Sequence, residues 1–147
     1  MAELHPFFVH FPIALLLAAM IFDLLGILRK QHSFTTSAFL LQILAALSAI
    51  LAGFSGHLAE SQVVDQDKLS EAIHPALTAH VGWGNTMVWI IVIFVLARTF
   101  AILEKKSWAQ QGWLFPLASS FLSILVIYTG LLGGKLGSAI LSYFTLN

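Results

Sequence analysis

Six histidines are spread through 147 residues, and five of them (His5, His10, His57, His74 and His80) fall near those ends of long apolar runs that should reach one common side. Only His32 falls at the opposite ends. Neutral imidazole is the commonest metal ligand among side chains and a standard axial ligand of haem iron. If helices begin at Pro6 and Pro75, His10 and His80 lie a little over one turn inside them and are the leading ligand candidates. His57 caps the end of another run, with Glu60 one helical turn further on if that helix continues. His5 and His74 read as helix-start residues, each followed by a proline suited to a first helical turn. Eight of the ten glycines share this level: Gly53, Gly56, Gly82, Gly84, Gly130, Gly133, Gly134 and Gly137. A missing Cβ lets a helix or a flat ligand come close. Gly56, Gly82 and Gly84 flank the histidines and are the glycines expected to make room for a porphyrin. Three outcomes stay open: haem b held by His10 and His80, a Cu or Zn ion held by His10, His57, His80 and Glu60, or no cofactor and histidines that merely bond water and carbonyls.

The elements that position these residues follow from composition. The chain is 59% hydrophobic and 10% charged, against about 45–50% and about 25% for soluble domains. Lipid is therefore the expected solvent. Formal net charge is zero, which offers no electrostatic footprint for nucleic acid. The absence of cysteine excludes disulfides, thiolate metal sites and covalent c-type haem.

The pattern predicts an all-α integral membrane four-helix bundle forming one domain over residues 1–147, with spans at about 6–28, 37–56, 75–103 and 113–132. A polar outer loop is expected over about 60–71, and a short C-terminal segment, Gly137 to Asn147, is expected to lie along the interface. Met1-Ala2-Glu3 lacks a positive stretch, so the first span reads as a retained helix rather than a cleaved signal. We call the end where the first span begins side A and the other side B. Side B and its flanks carry Arg29, Lys30, Arg98, Lys105 and Lys106, while side A carries Lys68 and Lys135. The positive-inside rule makes side B cytoplasmic, with both termini outside. Trp108 and Trp113 are expected as anchors on side B and Trp83 on side A.

The chain also reads as two copies of one hairpin. His5-Pro6 and His10 open the first span, and His74-Pro75 and His80 open the third. Gly53-Phe54-Ser55-Gly56 closes the second, and Gly130-Leu131-Leu132-Gly133 closes the fourth. This pairing sets His10 and His80 facing each other at equal depth. Asp23 and Arg98 fall at similar depth near side B, and a salt bridge joining spans one and three is the expected reading. A proton- or quinol-linked carboxylate is the alternative.

The run His5-Pro6-Phe7-Phe8-Val9-His10-Phe11-Pro12-Ile13-Ala14-Leu15-Leu16 resembles the opening motif of the bacterial DUF2231 family of small membrane proteins. The small-residue end of span two, the histidine at the start of span three and Thr129-Gly130-Leu131-Leu132-Gly133-Gly134-Lys135-Leu136 are similar to its pattern as well. The likeness extends over nearly the whole chain. Members often carry a histidine soon after the last Gly-Gly; here that stretch is Gly137-Ser138-Ala139-Ile140, so any ligand role there is absent or taken by a residue such as His57. Relatives joined to or beside Rieske-type and cytochrome domains imply membrane electron transfer.

These features lead to an expected b-type haem electron-transfer subunit of a bacterial inner membrane. It would work beside other membrane or periplasmic redox proteins and could be a homo-oligomer, with no nucleic-acid partner. The alternatives are a non-catalytic assembly subunit and a Cu- or Zn-binding membrane protein. An electron-transfer or accessory role fits better than a stand-alone enzyme, because no nucleophile–base set accompanies the histidines.

Overall fold

A computed structural model describes residues 5–64, 67–105 and 112–146. Backbone amides in lipid must find partners within their own segment, which leaves helices as the natural solution for apolar runs of this length. Four helices result: α1 (His5–Arg29), α2 (His32–Val64), α3 (Asp67–Leu103) and α4 (Leu114–Leu146). All four are long and apolar enough to cross a membrane. Their outward faces carry large apolar side chains such as Leu28, Trp89, Leu96, Phe121 and Leu131, as lipid contact requires. The protein is a multi-pass all-α membrane bundle. α1 packs on α2 and α4, and α3 packs on the same two helices, so α1 and α3 stand on one diagonal and α2 and α4 on the other.

The helices run past the ends expected from sequence. Pro75 sits inside α3 rather than at its start, since membrane-spanning helices tolerate a missing N–H where neighbouring groups compensate. The stretch expected as a polar loop is largely helical, with residues 60–64 closing α2 and 67–71 opening α3; Asp65 and Gln66 lie outside the described residues. The tail from Gly137 is not a separate element but the last turns of α4. Trp108 and Lys106 lie outside the described residues.

The bundle is internally two-fold. Asp23 on α1 bonds Arg98 on α3, 75 residues later, and Gln42 on α2 bonds Ser119 on α4, 77 residues later. The same two shifts map the buried surface of one hairpin onto the other. Leu16, Asp23 and Gly26 recur as Ile91, Arg98 and Ala101, and Ala45, Ala49 and Ala52 recur as Leu122, Val126 and Thr129, all buried. The helix stops repeat too. Lys30 (φ 53°) and Lys105 (φ 48°), again 75 apart, are the non-glycine residues with positive φ among those described. After α1, Gln31 N–H bonds the Gly26 carbonyl at 3.1 Å and Lys30 N–H the Ile27 carbonyl at 3.2 Å. This is the pair of reversed bonds that closes a helix through a left-handed residue. The repeat expected from sequence is therefore present, in a different histidine register: its shift pairs His5 with His80, whereas the sequence motif pairs His10 with His80.

At the core of the bundle the pseudo-equivalent polar residues meet. Arg98 Nη1 donates to Asp23 Oδ2 at 2.7 Å and to Gln42 Oε1 at 2.8 Å, and Nη2 donates to Asp23 Oδ1 at 2.8 Å. Asp23 Oδ2 also accepts from Gln42 Nε2 at 3.0 Å and from Ser119 Oγ at 2.7 Å. The guanidinium lies over the Phe115 ring, 4.6 Å from its centroid. Asp23 and Arg98 are each 1% exposed. The expected bridge between spans one and three thus exists as part of a four-residue network with one polar contribution from each helix.

Removing one partner strands a buried charge. Asp23→Leu is expected to cost about 3–5 kcal/mol, read as a lower unfolding midpoint in detergent. Asp23→Leu combined with Arg98→Met should recover most of that loss, because a buried pair replaced by apolar groups is often neutral. A double variant no more stable than Asp23→Leu alone would show that the network does more than neutralise itself.

Candidate functional site

Where α1 and α3 approach each other at side A, the two-fold repeat brings two imidazoles together. His5, on the first turn of α1, and His80, more than three turns into α3, lie with ring centroids 6.1 Å apart and planes at 68°. Both are half-buried. Each ring is seated on a glycine of its own hairpin partner. A Cβ at Gly56 would lie 2.9 Å from His5 Cε1, and one at Gly133 would lie 3.0 Å from His80 Cε1. These glycines, 77 residues apart like Gln42 and Ser119, occupy equivalent positions on α2 and α4. Gly53 and Gly130 repeat the device against Val88 and Ile13, at 3.2 and 3.3 Å.

Hydrogen bonding distinguishes the two rings. His5 Nδ1 is 2.9 Å from Ser55 Oγ, and Ser55 is buried. The position equivalent to Ser55 in the second hairpin is Leu132, which offers no such partner. Among the described residues, His80 Nδ1 is a buried polar atom that makes no well-formed hydrogen bond. Buried nitrogens without a partner are uncommon and call for an explanation such as an ordered water or ion.

The other candidates lie apart from this pair. His10 is exposed and bonds through Nδ1 to the Pro6 carbonyl one turn earlier on its own helix, and it is not brought to His80. His57 has 82% of its side chain exposed and lies 3.7 Å from Glu60 Oε2, an i,i+3 pair on the outer face of α2. His74 is exposed on α3. Gly82 and Gly84 face open space, while Gly56 makes room for an imidazole rather than for a slot beside it. Trp83 stands at the same level, edge-on to Tyr128 with centroids 5.3 Å apart. Among the described residues no three His, Asp or Glu side chains converge as a metal site. In the sequence His5 reads as a helix-start residue. The signal that would have found it is the shift of 75 that also relates Asp23 to Arg98 and Lys30 to Lys105.

A family model described as "Predicted membrane protein (DUF2231)" matches residues 2–140. The chain belongs to the DUF2231 family. No curated protein and no solved structure matches it. The matched range of this DUF2231 protein includes both histidines of the pair, both glycine seats and the whole ionic network.

The glycine seats give a direct check. Gly56→Ala and Gly133→Ala should each push an imidazole from its place, changing the histidine ring resonances in NMR spectra of the full chain and lowering its unfolding temperature by several degrees. Gly82→Ala and Gly84→Ala meet nothing within 4 Å, and should be neutral or slightly stabilising because alanine is the better helix former.

Proposed function

We propose that this DUF2231 protein is a b-type haem-binding electron-transfer subunit in which His5 and His80 would hold the haem. The observation that carries the reading is the pair of half-buried imidazoles on diagonal helices with centroids 6.1 Å apart. Two imidazoles on opposite sides of one metal have centroids roughly 6 Å apart, since metal–nitrogen bonds are about 2 Å long and each ring centre lies about 1 Å beyond its nitrogen. Haem iron needs only two ligands from the protein, because the porphyrin supplies four nitrogens itself. A bare Zn or Cu(II) ion wants three or four converging ligands. The absence of a third His, Asp or Glu in the cluster among the described residues favours haem over either ion.

Haem bound there would supply a one-electron carrier. The chain's part is to hold two imidazoles from different helices at fixed separation, with Gly56 and Gly133 setting the depth of each ring. Arg29, Lys30 and Lys105 are exposed at the side B ends of α1 and α3, and this charge supports a cytoplasmic side B. Arg98 does not count towards it, being buried against Asp23. In a bacterial inner membrane both termini and the histidine pair then lie near the periplasmic face, within reach of periplasmic or membrane redox partners.

A second reading, a non-catalytic assembly subunit or homo-oligomer, draws on Gly134 and Gly137, whose Cβ positions on α4 are open and would admit a neighbouring helix.

A reduced-minus-oxidised absorption spectrum of the purified chain, reconstituted with haemin, separates these readings. We expect a Soret band and sharp reduced-state bands that His5→Ala and His80→Ala each abolish or shift, and that His10→Ala and His57→Ala leave intact. Protein that stays colourless, or that loses its bands only with His10, would overturn the assignment.

A further inference from the structure

We propose that Ser55 is the positioning residue that fixes the proton of His5 on Nδ1, and that the lack of a counterpart at Leu132 makes His80 the exchangeable member of the pair. The inference rests on the reading of His5 and His80 as ligands.

Ser55 Oγ is 2.9 Å from the Ala52 carbonyl and 2.9 Å from His5 Nδ1. A hydroxyl has one proton and the carbonyl can only accept, so Ser55 donates to Ala52 and accepts from His5 Nδ1–H. A neutral imidazole protonated on Nδ1 keeps its lone pair on Nε2, the atom then free to bind a metal. A hydrogen bond from the outer nitrogen orients a ligating imidazole and raises its basicity. His5 therefore has the structural support of a firm ligand.

The repeat makes the contrast specific. Both rings sit on equivalent glycines, where an added Cβ would lie 2.9 and 3.0 Å from Cε1, so their seats are matched. What differs is the residue before each glycine: Ser55 before Gly56, and Leu132 before Gly133. The Thr129 carbonyl approaches His80 as the Ala52 carbonyl approaches His5, so the backbone contact is shared and only the hydroxyl is missing, with His80 Nδ1 short of a well-formed hydrogen bond among the described residues. His80 thus lacks the hydroxyl partner that secures His5, and an incoming small ligand is expected to displace it rather than His5.

The test uses the full chain in nanodiscs as wild type, Ser55→Ala, Ser55→Thr and Leu132→Ser. In the cofactor-free protein, nitrogen NMR of labelled histidine should show His5 protonated on Nδ1 in wild type and Ser55→Thr, and a tautomer mixture in Ser55→Ala. In haemin titrations Ser55→Ala should bind about 10–100-fold more weakly, with Ser55→Thr restoring affinity. Carbon monoxide should bind the reduced wild type and be resisted by Leu132→Ser, where the second hydroxyl secures His80. His5 protonated on Nε2 in wild type, unchanged haemin affinity in Ser55→Ala, or unchanged carbon monoxide binding in Leu132→Ser would overturn the proposal. If no variant binds haemin, the haem reading and the exchangeable role of His80 fall together, while the tautomer measurement still decides the role of Ser55.

Discussion

A buried charge in an apolar bundle must be matched, and the bundle is arranged around that requirement. Arg98 is 1% exposed, and leaving it unpaired would cost several kcal/mol. Asp23 answers it across the diagonal, Gln42 Oε1 accepts a further bond from Arg98, and Ser119 donates to the Asp23 carboxylate. Because the four groups come from four helices, their hydrogen bonds hold all four in register at once. Apolar side chains facing lipid on one side and other helices on the other give little such discrimination, since hydrocarbon on either side is similar. The polar network therefore determines which residues meet elsewhere in the bundle, including at its far end.

That far end is where the histidines lie. Eighteen residues of α1 separate His5 from Asp23, about 27 Å at 1.5 Å per residue. The ionic network is too distant to be part of a histidine-centred site, and its role is to hold the architecture. The connection is geometric: the shift that pairs Asp23 with Arg98 also pairs His5 with His80, Ile13 with Val88 and Lys30 with Lys105. Once the helices are locked at the network, the two imidazoles arrive at the same level. The repeat is symmetric in backbone and seating and asymmetric in chemistry. Aspartate is matched by arginine and glutamine by serine in the network, while Ser55 corresponds to Leu132 across the repeat, so the two hairpins differ in their polar groups where their backbones agree.

Much of this was legible in the sequence. The four apolar runs, the side A concentration of histidine and glycine, and the Asp23–Arg98 bridge all follow from residue types and spacing. The register of the histidines did not, because the two His-Pro dipeptides look like equivalent helix starts. In the structure Pro6 lies in the first turn of α1 while Pro75 is inside α3, whose helix begins at Asp67. Matching dipeptides by appearance thus misaligned α1 with α3 and promoted His10, which turns back to its own backbone. The correct shift was written in less conspicuous pairs, Asp23 with Arg98 and Gln42 with Ser119, whose meaning depends on three-dimensional contact. The seating of each imidazole on a glycine depends likewise on helix rotation, which apolar periodicity in a lipid-facing bundle specifies weakly.

Electron paramagnetic resonance of the oxidised chain titrated with haemin decides whether His5 and His80 form one two-imidazole site. A low-spin ferric signal from six-coordinate haem is expected at one per chain, retained in His10→Ala and converted to high spin in His80→Ala. A high-spin signal in the wild type, or a low-spin signal that persists when both His5 and His80 are replaced, would contradict it.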